Sequence, residues 1–318
     1  MRLRIPLGAA DLSRTRFAVS PVYETVMALA VLRRPGVHAV HMPWATWARP
    51  RLRDIDGLPM LLALTARDDF KPSFLMPPPD ARLPDLDTEL RRVTATPATR
   101  ARGDVARLHS HAVAEFAADP RRWLPRVTHA LRECFERILE PHWERIVRVL
   151  EADIAHRAGL LAEHGFDGLF AGLHPEIAWS EGELVVHPQR TAEARVALRG
   201  HGLILCPSAF CWPRVTAGVR PVAAGTLRYP ARGVATLWES AEPTPAALAD
   251  LIGRTRAAIL TQLARPHTTT DLAHALDITA GAVSQHLTVL REAGLVATHR
   301  DGRTALHLRT ARALSLLE

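Results

Sequence analysis

The sequence predicts an α+β chain, mainly α: a helical N-terminal domain with a small β-sheet, then a smaller C-terminal domain of short helices and a hairpin. Three observations carry this. Apolar residues recur at helical spacing through a long stretch after Pro120. From Glu176 the pattern changes to short apolar runs of strand length. Pro243 and Pro245 then interrupt the chain before helical spacing resumes. At 318 residues, the chain is long enough for about two domains of ~100–200 residues each, and we place them at residues 1–240 and 245–318.

Composition narrows the class. The hydrophobic share is 47% and the charged share 23%, values of a folded chain with a real core. The formal charge is +7 and the pI about 10.4. Lys71 is the only lysine, so the basic character is almost all arginine. A GC-rich genome accounts for that skew as well as phosphate binding does, so the pI is not counted as evidence for nucleic acid. No apolar run approaches the ~18 residues that cross a bilayer. Met1 to Ala10 is broken by Arg2, Arg4 and Pro6, unlike a signal peptide. Three cysteines are too few, and odd in number, for a disulfide framework. The expectation is a cytoplasmic chain with reduced thiols and no membrane partner.

The N-terminal elements follow from punctuation and period. Ser20-Pro21 reads as a cap and first helical residue, with Val22, Val26, Leu29 and Ala30 behind them and Pro35-Gly36 as the stop. A second helix is expected from Asp56 to about Arg67. The stretch Phe70 to Pro84, with Pro77-Pro78-Pro79, is irregular. Leu86 to Val93 and Asp104 to Ala118 read as helices. Trp123, Val127, Leu131, Phe135, Ile138 and Leu139 make one stripe. Pro141 restarts the helix, and Ile146, Val149, Leu150, Ile154, Leu160 and Leu161 continue it to about His164. Ile177 to Trp179 and Leu184 to Val186 flank Glu181-Gly182 as a hairpin. Leu203 to Cys206 and Thr226 to Tyr229 add two strands.

The C-terminal segment is the most informative. Leu248, Leu251, Ile252, Ile259, Leu260 and Leu263 give one or two helices ending near Arg265-Pro266. Thr268, Thr269 and Thr270 precede a short helix with Leu272 and Leu276 on its apolar side. Asp277-Ile278 is a turn, and Thr279 caps the next helix, which buries Val283, Leu287 and Leu290. Ala293-Gly294 ends it, with glycine where a left-handed residue is needed. Leu295 to His299 and Thr304 to Leu308 form a hairpin through Asp301-Gly302, its tip carrying Arg300 and Arg303. Helix, turn, helix and basic hairpin in this order describe a winged helix-turn-helix.

That geometry suits DNA. A major groove about 12 Å wide admits one helix, and small residues at its start permit close approach. Ala280, Gly281 and Ser284 are small, and Gln285 can pair with adenine through two hydrogen bonds. Thr288 and Arg291 extend the open face, and Thr279 lies at its start. Thr269 and Thr270 are placed to meet phosphate, and the wing arginines to meet the backbone or a minor groove.

The run Ser284-Gln285-His286-Leu287, then Leu290 to Val296, then Arg300-Asp301-Gly302-Arg303, resembles the ArsR/SmtB family of bacterial repressors over the last quarter of the chain. The preceding three quarters is similar to the long extension of a subgroup of such regulators, on Arg16 to Pro21 and Tyr229 to Gly233. The resemblance implies a homodimeric repressor on palindromic operator DNA, released by an inducer. It does not carry over the family's metal sites: Thr269 to Leu276 lacks the Cys-x-Cys pair, and Ala311 to Glu318 offers only Glu318 as a ligand. No cofactor or metal is expected.

Other residue groups have competing readings. Cys206 and Cys211, with four residues between them, could form a thiol switch or metal site, but free cysteine is most often a buried packing residue, as expected for Cys134. His109, His111 and Glu115 could ligate a metal, yet residues two apart do not share a helix face. His38 and His41 are three apart in a loop. His286 suits capping or packing better than base contact. Seven tryptophans could line an apolar effector pocket or complete a core. Phosphate-cradling loops, a nucleophile elbow and H-E-x-x-H are all missing, so an enzyme fused to the winged helix is the least supported reading. A helix-turn-helix used for protein contacts remains a further alternative.

Overall fold

The computed structural model describes residues 3–34, 36, 38–68, 70–187, 194–220, 223–238, 245–263, 266–301 and 304–317. The chain divides into two compact units, Met1–Trp238 and Glu239–Glu318. Both mix helices with small sheets, which gives the mainly α, α+β class. Among the described residues no helix is long and apolar enough to cross a membrane.

The first unit opens with β1 (Leu3–Pro6), α1 (Ala9–Leu12) and β2 (Arg16–Phe17), then α2 (Pro21–Arg33), α3 (Met42–Ala48) and α4 (Leu58–Leu64). Ser20 caps α2 as expected, its Oγ accepting from the Tyr23 amide at 3.1 Å with Pro21 in the first turn. The helix ends at Arg33; the expected stop at Pro35 lies outside the described residues. Helices α5 (Leu86–Thr94), α6 (Ala98–Val105), α7 (His111–Ala118), α8 (Pro120–Ile138) and α9 (Trp143–Phe170) follow. The single helix expected from Asp104 to Ala118 is instead the end of α6, a turn and a new helix. The Ser110 hydroxyl accepts from the Val113 amide at 3.2 Å and starts α7 afresh. The irregular stretch before α5 holds one short 3₁₀ turn, Ser73–Leu75.

The long stripe is divided where Pro141 predicts, by the turn Glu140–His142 between α8 and α9. Near the end of α9, Gly165 has a positive φ of 64°, a left-handed conformation that costs glycine nothing and strains other residues. The chain turns there, so Leu169 and Phe170 join a different core from Ile146, Leu150 and Ile154.

Strands β3 (Ile177–Ser180) and β4 (Glu183–Val186) form the expected hairpin, and β1 and β5 (Ala194–Arg195) extend it in the order β3-β4-β1-β5. The opening Leu3-x-Ile5-x-Leu7 alternation is not among the strands expected from sequence, yet Ile5 is fully buried in this sheet's core. A second sheet runs β2-β6-β8-β7, where β6 is Leu203–Ser208, β7 Thr216–Arg220 and β8 Ala223–Pro230. Strands β2, β6 and β8 are parallel, and β7 is antiparallel at the edge. Parallel strands need long crossovers, and β6 is buried at every position, as a covered parallel strand should be.

Four aromatic rings converge in the helical core. Trp44 and Trp238 stack with centroids 5.7 Å apart, beside Phe210 and His41. The Trp238 Nε1 donates to His41 Nδ1 at 2.8 Å, so that nitrogen accepts. His41 Nε2 therefore carries the proton, directed to the Ala209 carbonyl at 3.0 Å. Burial pushes His41 down to about 4, helped by His38, so the ring is neutral. These tryptophans fill a core.

The cysteines are also packed. Cys134, Cys206 and Cys211 are free and buried, and burial pushes the first two thiols up to about 12 and the third well above its ordinary value. Protonated, enclosed thiols are poor nucleophiles and ligands. His111 is exposed and pairs with Glu115 at 3.1 Å. Among the described residues, no three His, Cys, Asp or Glu side chains come together as a metal site requires.

Candidate nucleic-acid interface

The second unit contains α10 (Pro245–Ile252), α11 (Arg254–Gln262), β9 (His267–Thr268), α12 (Thr269–Leu276), α13 (Ala280–Glu292), β10 (Val296–Asp301), β11 (Thr304–Arg309) and α14 (Ala311–Leu317). Thr268 begins α12 with a capping box. Its hydroxyl accepts from the Asp271 amide at 3.1 Å, and Asp271 Oδ2 accepts from the Thr268 amide at 2.9 Å. These bonds hold the Asp271 carboxyl below its usual range. Asp277 closes the helix at φ 52°, a left-handed residue that reverses the chain in one step. The Thr279 hydroxyl then accepts from the Ala282 amide at 3.2 Å and starts α13.

One apolar face fixes α13. Val283, Leu287 and Leu290 are buried against Leu272, Ile259 and Leu260. The spacing of four and three places them on one side, which turns Ala280, Gly281, Ser284 and Gln285 out to solvent at the helix start. Gly294 at φ 70° stops the helix. The Thr310 hydroxyl donates to the Gly294 carbonyl at 2.7 Å. The wing is antiparallel with Asp301 opposite Thr304, and β9 adds a third strand to give the order β10-β11-β9.

The expected contact residues separate into groups. Ala280, Gly281, Ser284 and Gln285 share the exposed start of α13, with the Thr279 cap beside them. Thr288 is half-buried. Its hydroxyl donates to the Ser284 carbonyl at 3.0 Å and accepts from Arg291 Nη2 at 3.1 Å, so both side chains are held along the helix. Thr270 is exposed at the start of α12. His286 is half-buried. Arg300 stands opposite Ala305 in the wing register; its side chain, and all of Gly302 and Arg303, lie outside the described residues.

Thr269, expected at phosphate, has a partner within the fold. Its hydroxyl lies 3.1 Å from His307 Nε2, directed at the wing. His307 is 5% exposed, and its Nδ1 meets the Thr298 hydroxyl at 2.9 Å. Burial, with the nearby Arg291 charge, pushes this imidazole below its ordinary value, so each ring nitrogen serves one threonine. Sequence reasoning does not single out His307. Its place between Leu306 and Leu308 gives no sign in the sequence of burial or of a partner 38 residues away.

This fold and surface define a helix-turn-helix protein of the DNA-binding, transcription-regulating class. Residues 251–299 match the family model described as a helix-turn-helix domain, which spans α11 to α13 and enters β10. Residues 80–235 match a family of unknown function, DUF5937, which takes in α5 to β8. No curated protein and no solved structure matches the chain.

Proposed function

We propose that this regulator is a homodimeric repressor of the ArsR/SmtB type, released from operator DNA by a non-metal effector. The observation that carries the DNA-reading part is the exposed start of α13. There Ala280, Gly281 and Ser284 leave room for close approach, with Gln285 beside them to read a base edge. The caps at Thr268 and Thr279, the buried Val283, Leu287 and Leu290, and the left-handed Asp277 support a rigid reading unit. In a two-fold dimer the two copies of α13 would enter major grooves roughly 34 Å apart. Arg300 and Arg303 on the wing, with Thr270, would contact the backbone and set register.

The effector is read as non-metal because α12 offers no thiolate pair, and because the buried Cys206 and Cys211 stay protonated. The test is binding of the purified chain to DNA upstream of its own gene, against scrambled DNA, at physiological salt. Tight binding to the first only, with two protomers per site, is the expected result. Equal, weak and salt-sensitive binding to both would remove the operator reading.

A further inference from the structure

We propose that the cleft floored by Arg228 in the N-terminal unit binds a small organic anion: a carboxylate or phosphate group on an apolar body. The cleft has a volume of about 1060 Å³, ample for a metabolite-sized ligand. Six cationic side chains line it: Arg67, Lys71, Arg92, Arg100, Arg107 and Arg228. The chain's only lysine is among them. Among the described residues the wall holds one carboxylate, Asp104, whose Oδ2 already accepts from the Ser73 hydroxyl at 2.5 Å and the Phe74 amide at 2.9 Å. Arg67, Lys71 and Arg100 have partners of their own, the Lys71 ammonium donating to the Arg67 carbonyl. Arg92 is partly compensated, by the Pro78 carbonyl and by Asp80 at 3.9 Å.

Arg228 is the second, independent observation. It is 2% exposed and is one of the residues that line the cleft, as is Met76. Its Nη1 donates to the Thr226 hydroxyl at 2.9 Å and its Nη2 to the Met76 carbonyl at 3.0 Å, while its Nε is buried with no hydrogen-bond partner. No carboxylate among the described residues lies within ion-pair distance of it. Glu89 senses its charge, but burial pushes that carboxyl up to about 7, so it is only partly ionised at neutral pH. This buried guanidinium meets only neutral oxygens and the ring of Tyr23, 4.8 Å away, and is poorly compensated. An anion in the cleft would supply the missing charge in a low-dielectric site, where it counts most. Phe70, Met76, Pro77 and Val219 give the apolar part of the wall, which fits a ligand with a hydrocarbon body. Arg228 is 2% exposed, so the group that reaches it is small.

Only the consequence of binding, release from DNA, rests on the regulator reading. The full chain would be titrated by calorimetry with hexanoate, hexyl phosphate, inorganic phosphate and hexanol. One-to-one binding of hexanoate or hexyl phosphate, with hexanol at least tenfold weaker, is expected, and the stronger of the two anions identifies the head group. Arg228→Met should weaken that binding at least tenfold. If it fails to fold, as judged by circular dichroism, the rim pair Arg100→Ala and Arg107→Ala provides the same test from half-buried and exposed positions. No binding by any probe, equal binding of hexanol and hexanoate, or unchanged binding in the folded variants would overturn the proposal. Binding without any effect on DNA affinity would leave the anion site standing and remove only its regulatory consequence.

Discussion

His307 on the second wing strand and Thr269 at the start of α12 are 3.1 Å apart, ring nitrogen to hydroxyl. Because Thr298 holds the other ring nitrogen at 2.9 Å, one buried imidazole ties the first helix of the reading pair to both strands of the wing. The wing is therefore placed relative to α12 by a specific contact as well as by strand pairing. Thr269→Val removes one neutral hydrogen bond and should cost the C-terminal unit about 1 kcal/mol in denaturant unfolding. The salt dependence of DNA binding should be unchanged, since the hydroxyl faces His307. A slope reduced by the equivalent of one phosphate would show that Thr269 reaches DNA after all.

Gln285 is the longest polar side chain on the exposed start of α13. Gln285→Ala should weaken binding to the true operator by about 1–3 kcal/mol, roughly 5- to 150-fold, and leave scrambled DNA unaffected. Its exposure predicts no change in thermal unfolding. Fluorescence anisotropy on both duplexes measures the difference directly. Loss of equal size on both would assign Gln285 to the backbone.

Arg300 and Arg303 make a different prediction, because arginine–phosphate pairing releases counterions. Removing each arginine should reduce the slope of log K against log salt by about 0.9 for every phosphate it neutralises. The ratio of operator to scrambled binding should stay nearly constant. A changed ratio with an unchanged slope would place the wing in a minor groove, reading shape.

Glu89 is fully buried, accepting from the Ser20 hydroxyl at 2.8 Å and the Val22 amide at 3.0 Å. Burial raises its carboxyl from 4.5 to about 7, so the folded unit prefers the protonated form. The stability this confers is complete below the unfolded value and is lost as pH rises through the folded one, a loss of about 3 kcal/mol. Glu24, also raised to about 7 by burial, behaves alike. Glu89→Gln keeps an acceptor and cannot ionise, so it should flatten part of the fall between pH 4.5 and 7. Urea unfolding in acid and at mildly alkaline pH decides it: an equal effect of the substitution at both would show that the carboxyl ionises freely in the fold.

His41 has the opposite sign. Its folded value of about 4 lies below the ordinary 6.5, so its contribution is complete above pH 6.5 and disappears as pH falls towards 4. His41→Gln should be less sensitive than the wild type to acid over that interval, in the same unfolding assay. A steeper acid loss in the variant would contradict a neutral, buried ring.

Local chemistry explains which elements are legible in the sequence. The caps at Ser20, Thr268 and Thr279, the Pro141 break and the Glu181-Gly182 hairpin act within a few residues, so sequence alone exposes them. The helix expected from Asp104 to Ala118 fails at Ser110, where a cap inside an apolar stretch outweighs periodicity. β1 escapes sequence reasoning because four residues of alternating character form a strand only when β4 and β5 are beside them. Thr269 is expected at phosphate from its place in the motif, which says nothing of the histidine that occupies its hydroxyl.

The sequence by itself determined the reading unit: the order of α12, turn, α13 and wing, the buried face at Val283, Leu287 and Leu290, and hence the exposed face at Ser284 and Gln285. These follow from helical period and end chemistry, interactions that span at most one or two turns. Tertiary structure alone decided that Trp44 and Trp238 stack in a core, that His307 joins Thr269 to the wing, and that the cations near Arg228 share one cleft. Arg67, Arg107 and Arg228 belong to distant parts of the chain. Only the folding of such segments around one cleft brings these charges together, and no local pattern encodes that.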